Sequence, residues 1–266
     1  MYETSYHRAS SVDDAVSKIA SADDGKFLSG GMTLLPTMKQ RLAAPSDLID
    51  LTHIDGMRGV TVDGDKVRIG ALTTHFEVHS SNELKSVCPS MVEMAGWIGD
   101  PAVRHRGTIG GSIANNDPAA DYPSALLAMN ADIVTNKRTI AADDFFTGMF
   151  ETALEDDEIV TAVEYTAPEK CAYEKFRNPA SRYAMAGVFI AKLKDGTTRV
   201  GVTGAYSDGV TRPEALETAL SDNWSVDALD GVTVDPADML SDIHGTAEYR
   251  AHLVVVMAKR AVKKAG

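Results

Sequence analysis

Two glycine turns constrain this chain more than any other feature. The longer lies within Arg104-His105-Arg106-Gly107-Thr108-Ile109-Gly110-Gly111-Ser112-Ile113-Ala114-Asn115-Asn116-Asp117-Pro118-Ala119-Ala120-Asp121-Tyr122-Pro123. The shorter stands far upstream, in Phe27-Leu28-Ser29-Gly30-Gly31-Met32-Thr33-Leu34-Leu35-Pro36. Gly107, Gly110 and Gly111 permit positive φ and let a ligand approach the main chain closely. Successive N–H groups in such a turn form a concave nest that receives phosphate. Thr108 and Ser112 add hydroxyl donors. Asp117 and Asp121 are spaced to reach neutral hydroxyls beside a phosphate. Asp117 also suits the capping of its own turn, as Asp does through its side chain. Either glycine pair alone reads as an ordinary tight turn. Together they suggest a ligand with more than one phosphate, held from two sides.

The sequence around the first turn supports this. Lys26-Phe27-Leu28 is a short strand, Gly30-Gly31 a turn, and Thr33 to Leu42 a helix with Pro36 tolerated in its first turn. A strand, a glycine turn and a helix N-terminus in that order receive phosphate. Ser10-Ser11 cap a helix carrying Val12, Ala15, Val16 and Ile19, with Asp13 and Asp14 where the helix dipole favours them. Val60 to Ile69 is a hairpin turning at Gly64. Helical stretches follow at His75 to His79, Pro89 to Ile98 and Pro123 to Met129, then a hairpin over Ala131 to Ile140 and a strand at Ile159 to Tyr165.

Ala167-Pro168-Glu169-Lys170 reads as a boundary between domains 1–168 and 169–266. Beyond it, strands are expected at Tyr173 to Arg177, Ala184 to Leu193 and Thr198 to Tyr206. Helices are expected at Arg212 to Leu220 and Thr246 to Lys264. Strands followed by segregated helices argue an α+β class.

Composition excludes several functions. A net charge of −12 over 266 residues argues against nucleic acid, whose binding needs clustered Lys and Arg. The start, Met1-Tyr2-Glu3-Thr4, lacks the features of a signal peptide. No apolar run approaches the roughly 20 residues that span a bilayer, so a cytoplasmic protein is expected. The two cysteines, Cys88 and Cys171, cannot supply the four thiolates an iron–sulfur cluster usually takes. Both read as small buried or half-buried side chains. His75 and His79 lie four apart, but without a following metalloprotease pattern they read as helix-surface histidines.

On its two motifs the chain resembles the FAD subunit of molybdenum hydroxylases, the medium chain of aerobic carbon monoxide dehydrogenase and the middle domain of xanthine dehydrogenase. Ser-Gly-Gly-Met-Thr-Leu-Leu-Pro is similar to the family's first flavin motif, and Thr-Ile-Gly-Gly-Ser with Asp-Pro-Ala-Ala-Asp-Tyr-Pro to its second. The resemblance extends through Leu42 to Leu51 and the segment from Tyr173. It implies a two-part FAD-binding domain of the PCMH-like kind, then a smaller C-terminal α+β domain with a short antiparallel sheet and helices.

It implies that Ser29, Gly30, Gly31, Met32, Thr33 and Leu34 wrap the diphosphate and ribityl chain together with Thr108, Ile109, Gly110, Gly111 and Ser112. Asp121, and more weakly Asn115, would contact the flavin side. Tyr183 would stack on or shield the isoalloxazine, and Lys175 would approach the ring's polar edge, against the alternatives of a core tyrosine and a surface lysine. Met32 stands where some related oxidases carry a histidine bonded to FAD, so non-covalent FAD is expected.

The implied function is electron transfer within a multi-subunit molybdenum enzyme. Electrons would come from [2Fe-2S] clusters on a small partner and a molybdenum cofactor on a large one, in a dimer of heterotrimers. An external acceptor would receive them. The rival is a stand-alone FAD-dependent oxidoreductase sharing only the FAD domain. It would need substrate-binding groups beside the flavin, and no His or Arg cluster for that purpose stands in the C-terminal part.

Overall fold

The computed structural model describes residues Met1–Gly266. Strands β1 (Ser5–Arg8), β2 (Gly25–Leu28) and β3 (Asp47–Asp50) form a small parallel sheet in the order β1-β3-β2. Parallel neighbours need crossover connections. The helix Val12–Ala20 makes the first, and Ser11 caps it by accepting from the Asp14 N–H. The second carries the first glycine turn and the helix Leu34–Lys39. This helix is shorter than the expected span to Leu42, because Arg41 turns into the left-handed region with φ 64°.

The second sheet takes β4 (Val60–Asp63), β5 (Lys66–Gly70), β6 (Asp132–Thr135) and β7 (Thr139–Ala141). A two-stranded ribbon of β8 (Phe146–Gly148) and β9 (Glu151–Thr152) follows, and β10 (Val160–Thr166) then enters the middle of the sheet. The order is β4-β5-β10-β6-β7, every pair antiparallel. Between β5 and β6 run short helices that include His75–Ser80, Pro89–Gly96, Ile109–Asn115 and Asp121–Ala128. The last is buried along its whole length. It begins two residues before the expected Pro123.

The third sheet is the antiparallel β11 (Lys170–Arg177), β12 (Ala184–Lys192) and β13 (Thr198–Thr203). Side chains alternate across a strand, and here each face has a separate core. Tyr173, Phe189 and Ala191 join the larger apolar cluster with the helix Asp121–Ala128. Ala172, Val188 and Ile190 join a second cluster with the helices Glu214–Asp222 and Ala247–Ala265. Covered on both faces, β12 buries all its residues but Lys192. Contact between sheet and helix is close enough to require glycine: a methyl at Gly201 would lie 2.0 Å from the Ser124 carbonyl oxygen.

Mixed helices and mainly antiparallel sheets agree with the expected α+β class in its coarse form; the parallel sheet and the strand β1 were not foreseen. No helix is long and apolar enough to cross a membrane.

Candidate functional site

A cavity of about 590 Å³ opens between the two glycine turns, reaching Tyr183 near the start of β12. Small-molecule sites usually enclose roughly 300–1,000 Å³. Thirteen of the fifteen expected residues line it: Ser29, Gly30, Gly31, Met32, Thr33, Leu34, Thr108, Gly110, Gly111, Ser112, Asn115, Asp121 and Tyr183. Ile109 and Lys175 do not. The Ile109 side chain points into the core with no exposed surface.

The turns are pressed together. A methyl at Gly30 would lie 1.9 Å from the Arg106 carbonyl oxygen. The Ser29 and Thr108 hydroxyls are hydrogen-bonded at 2.7 Å. Their backbones play different parts. None of the five N–H groups from Ser29 to Thr33 donates to a protein acceptor, and Gly31 has φ 71°. Consecutive free donors around a left-handed glycine form an anion nest. The second turn, expected at positive φ, is instead the N-terminus of the helix Ile109–Asn115, capped by Thr108, with none of Gly107, Gly110 and Gly111 at positive φ, and it uses its amides within the protein. Ile109 N–H donates to Thr73 O at 3.1 Å, Gly110 N–H to Ala71 O at 2.9 Å and Ser112 N–H to Thr108 O at 3.0 Å. Gly111 N–H donates to the capping Thr108 hydroxyl at 3.1 Å.

The adjacent glycines also separate. A methyl at Gly110 would meet Ala71 Cβ at 2.5 Å, whereas one at Gly111 would meet Thr108 Oγ1 at 3.0 Å and nothing else nearer than 3.7 Å. Gly110 is a packing residue. Gly111 keeps the cavity wall low.

Asp117 caps its own turn, its Oδ1 accepting from Ala119 N–H at 2.8 Å. The end of β13 fixes this segment from behind, where the Thr203 hydroxyl shares its one proton between Ala120 O at 2.6 Å and Pro118 O at 2.9 Å. Asp121 is buried in the wall. Its Oδ1 accepts from Tyr173 and from Lys175, the latter at 2.8 Å. Lys175 is thus neither a surface lysine nor a cavity residue; its ammonium lies behind Asp121. Tyr183 is half-buried, its hydroxyl accepting from Asn178 Nδ2 at 3.0 Å. The turn leading to it places Arg182 at φ 64°.

His75 was expected on a helix surface and is instead buried in the cavity wall, its ring 5.4 Å from that of Tyr122. Burial, with the nearby Arg104 charge, lowers its pKa to about 4, so it is neutral at physiological pH. The available signal was its position three residues before Val78 on one helix face, since residues at that spacing are neighbours; Val78 is fully buried. His79 is exposed. No cluster of His, Cys, Asp or Glu is arranged to hold a metal. Cys88 is buried and Cys171 half-buried, both free, with sulfurs 3.8 Å apart.

Residues 2–165 match the family model described as the FAD binding domain in molybdopterin dehydrogenase. Over 98% of its length the chain is 34% identical to the nicotine 6-hydroxylase medium subunit of Paenarthrobacter nicotinovorans, covering 96% of that protein. It is equally identical, with the same coverage of both chains, to the carbon monoxide dehydrogenase medium chain of Hydrogenophaga pseudoflava. It superposes on a solved structure of carbon monoxide dehydrogenase from that organism, one lacking the Mo-pyranopterin moiety, with a TM-score of 0.88 over 99% of this chain and 97% of that one.

Proposed function

The chain belongs to the family of FAD-binding domains in molybdopterin dehydrogenases, and from that membership we propose that it is the FAD-carrying, electron-transferring subunit of a molybdenum hydroxylase. One observation carries the reading: five consecutive free amides, Ser29 to Thr33, face a cavity whose other wall is lowered by Gly111. A diphosphate needs such donors, because hydrogen bonds to a charged group contribute roughly 1.5–3 kcal/mol each. The hydroxyls of Ser29, Thr108 and Ser112 stand beside them.

The residues present fit FAD. The diphosphate is proposed to rest on the first turn, Met32 and Leu34 to flank it, and the isoalloxazine to lie against Asp121 and Tyr183. Asn115 borders the same cavity. No residue in the expected histidine position can bond the flavin covalently, since Met32 stands there. Bound FAD supplies the redox chemistry, accepting and releasing electrons. The protein's own groups bind it, orient it and cover it. His75 lies close by as a neutral group and adds no charge to the cavity.

The relatives are named a medium subunit and a medium chain, which supports a place between two other components. A small subunit with [2Fe-2S] clusters would deliver electrons drawn from a molybdenum cofactor on a large subunit. The family resemblance supports a dimer of such heterotrimers, in the cytoplasm. It also supports a division into domains 1–168 and 169–266, the second organised around the outer core of the β11–β13 sheet.

Titration with FAD tests the reading. The isolated chain is expected to bind one equivalent, released intact on denaturation. Tyr183→Ala is expected to keep that stoichiometry while changing the flavin's absorption or raising its reoxidation rate by oxygen. A chain that takes up no FAD would contradict the function. Unchanged spectrum and oxygen reactivity in Tyr183→Ala would mean that Tyr183 does not cover the flavin.

A further inference from the structure

We propose that Lys175 and Tyr173 are positioning residues that hold Asp121 with its second carboxylate oxygen towards the flavin, and through it set the flavin's reduction potential without touching the ring. The inference rests on the FAD reading above and concerns what the cavity wall does to that flavin.

Asp121 is the first residue of the buried helix and is 5% exposed. Both of its side-chain donors converge on one oxygen, Oδ1. Oδ2 has no protein donor, and Asp121 lines the cavity. Lys175 and Tyr173 are two residues apart on β11, which puts their side chains on one face of the strand. The Lys175 side chain has no exposed surface, and its one other partner is the Trp97 carbonyl oxygen at 3.1 Å. An ammonium taken wholly out of water is costly unless paired. The pair with Asp121 therefore confines both groups.

The surroundings leave the carboxylate little room to turn. Gly187 stands opposite Lys175 across the β11–β12 ladder. A methyl there would lie 2.4 Å from the Tyr173 hydroxyl oxygen, so the absence of a side chain lets Tyr173 reach Asp121. The backbone is held as well: Asp121 O accepts from the Ser124 hydroxyl at 2.8 Å, and Ala120 O accepts from Thr203.

The electrostatic consequence has a definite sign. Reduction adds electron density to the flavin, and a nearby anion opposes it while a nearby cation favours it. Asp121 presents a negative oxygen to the cavity. Lys175, one hydrogen bond further back, offsets part of that charge. Removing the ammonium leaves the carboxylate uncompensated, and removing the carboxylate leaves the ammonium.

The experiment measures the two-electron midpoint potential of the FAD-loaded chain by equilibration with redox dyes. Lys175→Met should move it to more negative values, and Asp121→Asn to more positive ones. Tyr173→Phe, which removes one donor and no charge, should shift it in the same direction as Lys175→Met and less far. The double variant Lys175→Met/Asp121→Asn should return towards the wild type. If Lys175→Met does not fold, Asp121→Asn and Tyr173→Phe still decide the matter. Potentials unchanged in flavin-loaded variants, with only thermal stability lowered, would reduce the cluster to a structural ion pair and overturn the proposal. A wild-type chain without FAD would be a different failure, that of the flavin reading itself.

Discussion

Gly111→Val is expected to give a folded chain that has lost FAD. An added Cβ is tight only against the Thr108 hydroxyl at 3.0 Å and makes ordinary contact with Ser29 Cβ and Oγ at 3.7 and 3.8 Å, and Gly111 has no left-handed φ to violate. The branched side chain then extends into the space opposite the Ser29–Thr33 amides. A diphosphate displaced from even two of those donors loses roughly 1.5–3 kcal/mol for each, and about 1.4 kcal/mol is tenfold in affinity. Binding should weaken by at least about a hundredfold. Its neighbour provides the control: Gly110→Val drives a side chain into Ala71 and should lose fold and flavin together. Circular dichroism with flavin titration separates the two outcomes. Gly111→Val with normal FAD content would place the diphosphate elsewhere.

Arg250→Leu is expected to produce the largest loss of stability away from the cavity. Arg250 lies on the C-terminal helix and is 1% exposed. One guanidinium nitrogen donates to Met185 O and Gly204 O, both at 2.8 Å, and another to Asp242 Oδ2 at 2.7 Å. It thus ties the start of β12, the end of β13 and the loop ahead of its own helix. The substitution orphans two main-chain carbonyls, at about 1–3 kcal/mol each, while the Asp242 side chain, 41% exposed, is left to water; the total stability of a typical domain is roughly 5–15 kcal/mol. Because Met185 follows Tyr183 by two residues, the flavin-side wall should loosen too. The urea midpoint should fall markedly and FAD affinity with it. An unchanged midpoint would mean that water replaces the guanidinium without cost.

Much of the cavity's lining was legible because it is local. The two glycine turns, their hydroxyl neighbours and Asp121 lie in short stretches whose residue types follow from turn chemistry. What each glycine does was not legible. Gly30 packs on Arg106 and Gly110 on Ala71, and such partners are set by tertiary structure alone. The same limit hid Lys175. The sequence offered Lys175 either at the flavin's edge or on the surface, and only the tertiary pairing with Asp121 places it behind the cavity wall.

His75 was misplaced because its helix is short and the apolar face consists of little more than itself and Val78. The strand β1 was missed for a related reason. Its residues are mostly exposed, so no apolar alternation marks it, and its pairing with β3 joins segments about forty residues apart. The C-terminal strands were clearer, since β12 is a continuous apolar run of the kind buried on both faces.

On the proposed function, electrons reach this chain's flavin from partner subunits. The direct measurement is anaerobic rapid mixing, following bleaching of the FAD absorbance when the complex's substrate is added. With the isolated, FAD-loaded chain no bleaching is expected. With the molybdenum and iron–sulfur subunits restored, the flavin should be reduced after the clusters, within a single turnover. Reduction of the flavin by substrate in the isolated chain would contradict the account and make the protein a self-contained flavin enzyme.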